Sequence, residues 1–180
     1  MKKLQILLLA LLPTLFYSQN DYRDTVIEAL INKKINEYRV ENGKDKLITT
    51  ERFRESVDAY AIVAAEKIEK YSLLEHSHCG LSENICFVPA DSSWKYYHTS
   101  KEEAYKSLFS QEDLAQTTID AWKGSPGHNW MMLDDVIAKQ LITSVYVYYD
   151  DPSKMWSMFV VSNFPTDHET GSIVLDFTKK

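Results

Sequence analysis

The spacing of apolar residues changes along the chain, and this change limits the folds that the sequence can adopt. Two early stretches carry apolar side chains at intervals of three and four residues, which is the spacing of one face of an α-helix. They are Val26, Ile27, Leu30, Ile31, Ile35 and Tyr38 in the first stretch, and Phe53, Val57, Tyr60, Ala61, Ala64 and Ile68 in the second. We therefore expect one helix from Thr25 to Asn42, ended by Gly43, and a second helix that starts after Thr50.

The helical spacing disappears over residues 71–97, which predicts a long connection. The pairs Ser100/Glu103 and Ser110/Asp113 are typical of two further helix starts. Residues 124–127, with a glycine at each end and a proline between them, interrupt the second of these helices. A short helical segment is expected to begin again near Asn129.

The last part of the chain is rich in β-branched and aromatic residues instead. Residues 141–149 and 156–164 form two such runs, and the Asp-Asp-Pro sequence at 150–152 is typical of a turn, so we expect an antiparallel hairpin. A weaker run at 173–177 predicts a further strand in the C-terminal segment 166–180. Helices first and strands last indicate an α+β domain, because α/β domains alternate the two.

The first 18 residues have the features of a secretory signal peptide. Lys2 and Lys3 precede an apolar stretch from Leu4 to Leu12, and small residues follow. A membrane anchor or a buried helix is the alternative, but the stretch is shorter than the about 20 residues that span a bilayer. We expect cleavage near Ser18, a secreted or periplasmic location, and no transmembrane segment in the mature form.

The charge of the mature chain excludes one class of partner. Loss of Lys2 and Lys3 lowers the number of basic residues from 20 to 18 against 26 acidic residues, so the net charge is 18 − 26 = −8. An acidic surface repels phosphate backbones, and we expect no nucleic-acid partner.

The sequence contains two cysteines, Cys79 and Cys86. Both belong to the exported part, where oxidising conditions favour a disulfide between them. Such a bridge closes a short loop and contributes about 2–3 kcal/mol to stability. Two free thiols, or two thiolates on a metal, are the alternatives, although the spacing differs from that of structural zinc sites.

Two segments, 76–85 and 122–129, combine histidine with polar residues at predicted helix boundaries. Two imidazoles and a carboxylate form a ligand set that zinc accepts, with a fourth position left for water. The carboxylate can also accept a proton during catalysis. A histidine by itself is more often a surface or hydrogen-bonded structural residue, and we interpret His98 and His168 as solvated.

Several short motifs resemble those of the CAP superfamily, which includes cysteine-rich secretory proteins, antigen 5 and pathogenesis-related 1 proteins. The segment Asn36–Arg39 with Gly43 resembles the N-x-x-R-x-x-x-G opening of these domains. His78 stands five residues before Glu83, at the spacing of the family's histidine and its Gly-Glu-Asn-(Ile/Leu) motif. Asn84 and Ile85 complete that motif, with Ser82 in place of the glycine.

The later part of the chain resembles a second family motif, in which a tryptophan and a short turn precede a Gly-His pair. Trp122, Gly127 and His128 match this motif, and its Ser125-Pro-Gly-His form is similar to that of bacterial members. Animal and plant members carry a second glutamate three residues after the tryptophan. Ser125 occupies that position here, so the resemblance implies a reduced site.

The resemblance covers residues 25–165 and implies an α-β-α sandwich in which helices flank a small antiparallel sheet. It also implies a cleft lined by His78, Glu83 and His128. These three residues would be the ligands of zinc or another divalent metal. His76 either assists this site or is solvent-exposed, and we favour exposure. Asn84 is expected to tie down loop backbone, and Trp122 to lie in the core.

Two functions of different class follow from the resemblance. The first is a secreted binding module whose cleft holds an extracellular ligand, such as a lipid, a sterol or a surface molecule. The second is a metal-assisted hydrolase in which Glu83 is the catalytic base. The missing second glutamate favours the binding module, and a site that only braces the loops is a third possibility.

Overall fold

Helices occupy most of the first part of the chain, and the two longest strands lie in the last part. The computed structural model describes residues 21–77 and 81–166. Within these ranges the helices are α1 (Thr25–Glu41), α2 (Arg54–Tyr71), α3 (Lys101–Lys106), α4 (Gln111–Gly124) and α5 (Pro126–Leu133), and the strands are β1 (Tyr22–Arg23), β2 (Ile48–Thr49), β3 (Glu83–Pro89), β4 (Gln140–Asp150) and β5 (Met155–Asn163). The α+β prediction is confirmed. The signal peptide predicted at 1–18 and the strand predicted at 173–177 lie outside the described residues.

The sheet has the strand order β1-β4-β5-β3, and β2 pairs in parallel with the start of β4. Strands β4 and β5 form the predicted antiparallel hairpin, in which Val145 is opposite Val160. Strand β3 adds to the other side of β5, so that Cys86 is also opposite Val160. The three long strands β4, β5 and β3 therefore form an antiparallel sheet.

Strand β3 corrects the prediction of an irregular connection over residues 71–97. Glu83–Pro89 pairs along its whole length with β5. Ile85 faces one side of the sheet and Cys86 the other, and both are buried. A strand that is buried on both faces has a continuous apolar run rather than an alternating one, so the period-two signal of a strand is missing.

Helices cover both faces of the sheet. Helix α2 packs on one face, where Tyr148 and Phe159 contribute to its apolar cluster. Helices α1 and α4 pack on the other face, together with Val145 and Val147. Helix α2 contributes three small buried residues to the apolar cluster on its own face of the sheet: Ala61, Ala64 and Ala65. Their short side chains allow the helix to approach the strands closely.

Side chains at the helix starts satisfy free backbone N–H groups, as the sequence predicts. Ser100 Oγ accepts from the N–H of Glu103, and Ser110 Oγ accepts from the N–H of Asp113. Asp24 does the same for the first turn of α1. Gly43 follows α1 with φ +70°, the left-handed conformation that glycine adopts most readily.

Arg39 fixes the position of α5 relative to α1. Its side chain is buried, with the residue 1 % exposed, and Nη1 donates to the carbonyl oxygens of Met132 and Asp134 at 2.7 Å each. Nε donates to the Asp45 carbonyl at 2.7 Å. Because these acceptors include carbonyls at the end of α5, Arg39 caps the helix that carries His128.

Among the helices in the described ranges, none is both long and apolar enough to cross a membrane.

Candidate functional site

Glu83 begins strand β3, where it lies opposite Asn163 at the end of β5. Its side chain is 4 % exposed. Oε1 accepts from His76 Nδ1 at 2.9 Å and from the backbone N–H of Ser77. Oε2 accepts from Ser77 Oγ at 2.5 Å and from Asn163 Nδ2 at 3.2 Å. Each carboxylate oxygen therefore has two protein donors, and the carboxylate fastens residues 76–77 to the sheet.

The segment that carries His76 has a second attachment, to helix α2. The Tyr60 hydroxyl donates to the Glu75 carbonyl, and Lys67 Nζ lies 3.2 Å from the Glu75 carboxylate. Ser72, just after α2, adopts φ 52° and turns the chain back. Residues 72–77 are therefore held against α2 at one end and β3 at the other.

His76 faces His128, and these two residues with Glu83 form what we call the two-histidine site. The ring centroids of the histidines are 6.4 Å apart, with 50° between the ring planes. The His76 side chain is 57 % exposed, as expected, but it also contacts Glu83. Because Glu83 accepts from Nδ1, the hydrogen bond assigns a proton to that nitrogen and leaves Nε2 as the lone-pair nitrogen.

His128 lies in the first turn of α5, which begins at Pro126 rather than near Asn129. Proline suits this position because its missing N–H has no partner in the first turn of a helix. Ser125, extended between α4 and α5, caps the start of α5 through its backbone, and its carbonyl accepts from the Asn129 N–H at 2.8 Å. The pKa of His128 is lowered from 6.5. Burial of the ring is the main cause, and repulsion from the nearby His76 is the second.

Two side chains tie β3 to the helices that carry His128. Asn84 Nδ2 donates to the His128 carbonyl at 2.9 Å, so Asn84 has the expected role of holding backbone. Trp122 is 1 % exposed and donates from Nε1 to the Ile85 carbonyl at 3.0 Å, which places it in the core as expected. The segments that resemble the two family motifs therefore lie side by side.

The expected ligand set was His78, Glu83 and His128. His78 lies outside the described residues, and within the described ranges no group of three His, Cys, Asp or Glu side chains is arranged to hold a metal. Two imidazoles on one zinc ion have ring centroids about 5 Å apart, given Zn–N distances of about 2.0–2.1 Å and tetrahedral angles. His76 and His128 are further apart than this, so the metal assignment stays a prediction.

The predicted disulfide has one partner in the described residues. Cys86 is a free thiol in the structure, 9 % exposed, on the sheet face that packs against α1 and α4. Burial raises its pKa to about 11. Cys79 lies outside the described residues, so the bridge between the two stays a prediction.

His98 is not solvated, which corrects the sequence interpretation. Its side chain is 12 % exposed, and Nε2 lies 2.9 Å from Ser107 Oγ. The short helix α3 ends at Lys106 and brings Ser107 back over the segment that carries His98. Sequence spacing does not reveal this contact, because it depends on how α3 folds back. His168 lies outside the described residues.

The exposure of His76 was predicted, but its contact with Glu83 was not. This contact joins the segment after α2 to the start of β3, which periodicity does not relate, and family spacing favoured His78 instead. The sequence contains one signal for a role of His76 in the site. It is two residues from His78, and in an extended segment side chains two residues apart are expected on the same side.

No protein-family model and no curated protein matches the chain. Among solved structures, the chain is similar to an outer surface protein from Borrelia burgdorferi, with 10% sequence identity and a TM-score of 0.46. The alignment covers 81% of this chain and 98% of that chain. A similarity of this size assigns neither a family nor a function.

Proposed function

We propose that the chain is a secreted or periplasmic binding protein of the CAP type, in which the two-histidine site lines a cleft for an extracellular ligand. The CAP-type sandwich is supported by helices on both faces of the sheet and by the adjacent positions of the two motif segments. Export is supported by the features of residues 1–18.

The observation that carries this proposal is the hydrogen bonding of Glu83. Both oxygens of its carboxylate accept two hydrogen bonds from the protein. A general base needs a lone pair that can reach a proton of the substrate, and Glu83 must break an internal bond to supply one. The arrangement therefore favours Glu83 as a residue that positions His76 and not as a base that removes a proton from a substrate.

The two imidazoles are the groups that contact the ligand. The lowered pKa of His128 keeps this ring neutral at pH 7, so it offers both a hydrogen-bond donor and an acceptor. His76 is exposed and offers the nitrogen that Glu83 does not use. Hydroxyl and carboxyl head groups of sterols and lipids match these donors and acceptors.

A divalent metal fits the same pair if the exposed His76 ring turns towards His128. His76 and His128 would then hold the ion, and Glu83 would remain behind His76 as the carboxylate that orients it. This assignment replaces His78 with His76 and moves Glu83 out of the set of direct ligands. Zinc would supply a positive charge that attracts an anionic or polar head group.

Hydrolysis is the second candidate, and the contact between Glu83 and His76 is the observation that favours it. A carboxylate that orients an imidazole is the arrangement of many general bases. In that case the base is His76, through Nε2, and Glu83 acts only through His76. We rank hydrolysis below binding because His76 is exposed to solvent and because both carboxylate oxygens of Glu83 already accept hydrogen bonds from the protein.

Fluorescent lipids test the binding proposal. Mature protein is titrated with dehydroergosterol and with cis-parinaric acid, as a sterol and a fatty-acid probe. Saturable binding of at least one probe is expected, weakened roughly tenfold or more by His76→Ala and by His128→Ala. Glu37→Gln changes an exposed acid on α1 and is the control, with no expected effect.

The outcome that contradicts the proposal is binding of neither probe, or binding that both histidine variants leave unchanged. The same preparations are assayed for hydrolysis of p-nitrophenyl esters. Turnover that His76→Ala abolishes would favour the hydrolase in place of the binding protein.

A further inference from the structure

A second concave surface lies at the other end of β3 from Glu83. It is a groove of about 540 Å³ between the end of α2, strand β3 and the β4–β5 turn. Its residues are Ile68, Glu69, Ser72, Leu74, Phe87, Asp150, Pro152 and Ser153. Phe87 is four residues from Glu83 along the strand, roughly 13 Å at the rise of a β-strand. The Phe87 side of the groove is thus distant from Glu83, although Leu74 is only two residues from His76, and the groove has the volume of a small-molecule pocket.

Four of the eight residues that line the groove have apolar side chains. Ile68 and Phe87 are partly buried and pack against the apolar cluster on the α2 face of the sheet. Leu74 is 47 % exposed, although it is a large aliphatic residue. Leu74 and Phe87 line the same concave surface, and apolar side chains in a concave surface can cover apolar atoms of a ligand.

Two carboxylates line the same groove, those of Glu69 and Asp150. Within the described ranges, neither has a Lys, Arg or His partner within ion-pair distance. Two other acids of this region do have such partners. Asp151 pairs with Lys154 at 3.2 Å, and Asp21 pairs with Lys101 at 3.7 Å.

The electrostatic effects of these carboxylates reach the neighbouring groups. Burial raises the pKa of Glu69, and repulsion from Asp150 adds to the rise, while a hydrogen bond from the Asp151 backbone N–H offsets part of it. Tyr148 is 2 % exposed, and burial together with Asp150 and Glu69 raises its pKa. Among the described residues, its hydroxyl has no hydrogen-bond partner. Glu69 and Asp150 thus give the groove an excess of negative charge, and its effect extends to the buried Tyr148.

We propose that this groove binds a small organic cation with an apolar body and an ammonium group. The carboxylates of Glu69 and Asp150 would bind the ammonium group, and the ring of Phe87 can stabilise the same charge. Ile68, Leu74 and Pro152 would cover the apolar body. The proposal is independent of the function proposed for the two-histidine site.

Other occupants fit the groove less well. A fatty acid would place its carboxylate beside two like charges, which is unfavourable in a partly buried site. A neutral apolar chain would leave both acids without a counter-ion. A folded protein partner needs about 800 Å² on each side, which is far more than a groove of this size offers.

Three six-carbon probes that differ only in the head group test the proposal. Mature protein is titrated with hexylammonium, hexanol and hexanoate at pH 7, and binding is followed by NMR through the backbone amides of Phe87 and Ser153, which line the groove on β3 and on the β4–β5 turn. These amides report the groove separately from the two-histidine site. Saturable shifts are expected with hexylammonium, with hexanol weaker by roughly tenfold and hexanoate weaker still.

Glu69→Gln is the decisive variant because glutamine keeps an acceptor oxygen while the charge is lost. It should weaken hexylammonium binding roughly fivefold to tenfold and leave hexanol unchanged. Glu37→Gln, an exposed acid on α1, is the matched control and should change neither. Asp150→Asn is a supplementary variant, since Asp150 also accepts from the Ser153 hydroxyl within the turn.

Four results would overturn the proposal. Equal affinity for hexanol and hexylammonium would show a groove that is merely apolar. Tighter binding of hexanoate would show an anion site. The absence of a shift with hexylammonium in the millimolar range would show that the groove is not a cation site. Hexylammonium binding that Glu69→Gln does not weaken would show that Glu69 does not bind the ammonium group.

Discussion

Glu83 Oε1 and His76 Nδ1 lie 2.9 Å apart, so a carboxylate that is 4 % exposed holds an imidazole that is 57 % exposed. This contact joins the start of β3 to the segment that follows α2. It gives a buried acid a positioning role and leaves the exposed ring free to meet a ligand. Changes at the acid should therefore affect stability and the placement of the ring together.

Glu83→Gln should lower the free energy of unfolding by about 1–3 kcal/mol. Glutamine keeps the shape of the side chain, but its amide N–H₂ faces donors where Oε1 or Oε2 had accepted. Chemical denaturation measures the change. Glu37→Gln, at an exposed position, should alter the unfolding free energy far less, and an equal loss in both variants would contradict the positioning role.

The contribution of His128 to stability should depend on pH. Its folded-state pKa is lower than 6.5, so the unfolded chain takes up the proton first as the pH falls. The neutral ring therefore contributes stability that is fully present above pH 6.5 and is lost as the pH falls through the folded-state pKa.

Denaturation of wild type and His128→Gln between pH 5 and 8 measures this contribution as a difference between the two proteins. The wild type should lose stability relative to the variant as the pH falls below 6.5. A difference that stays constant, or that grows in favour of the wild type at low pH, would show that burial and His76 do not lower this pKa.

Arg39→Met should destabilise the protein by about 3 kcal/mol or more, because three carbonyl oxygens lose their donor. Arg39→Lys keeps the charge but not the forked donor geometry, and it should fall between wild type and Arg39→Met. Thermal unfolding gives the order of the three proteins. If lysine restores full stability, the charge rather than the fork supports α5.

Cys86 should resist thiol reagents in the folded, reduced protein. Its pKa of about 11 and its 9 % exposure leave about one thiolate in ten thousand at pH 7. Alkylation followed by mass spectrometry should modify Cys86 only after unfolding. Rapid labelling of Cys86 in the native protein would contradict the buried position.

The predicted disulfide between Cys79 and Cys86 is tested on protein exported without reductant. Its intact mass should be lower by two hydrogens and should return to the reduced value with a reducing agent. Two alkylated cysteines in unfolded, unreduced protein would exclude the bridge.

Local signals predicted much of the fold. The caps at Ser100 and Ser110, the stop at Gly43 and the hairpin around residues 150–152 each depend on a few consecutive residues. Strand β3 was missed for the opposite reason. Ile85 and Cys86 are buried on opposite faces, so the sequence has no polar alternation that marks a strand.

The candidate site was predicted only in part. Glu83 and His128 were identified through motif resemblance, and the structure brings their segments together through Asn84 and Trp122. The partner of Glu83 was not identified. A hydrogen bond between a loop and a strand depends on the packed tertiary structure, and no spacing rule relates residues 76 and 83.

Calorimetric titration of mature protein with zinc tests most directly whether His76 and His128 bind a shared ligand while Glu83 positions His76. The variants are His76→Ala, His78→Ala, His128→Ala and Glu83→Gln. The account predicts one saturable zinc site that is lost in His76→Ala and His128→Ala, and roughly tenfold to a hundredfold weaker in Glu83→Gln. Zinc binding that survives His76→Ala but is lost in His78→Ala and Glu83→Gln, or no saturable zinc binding by the wild type, would contradict it.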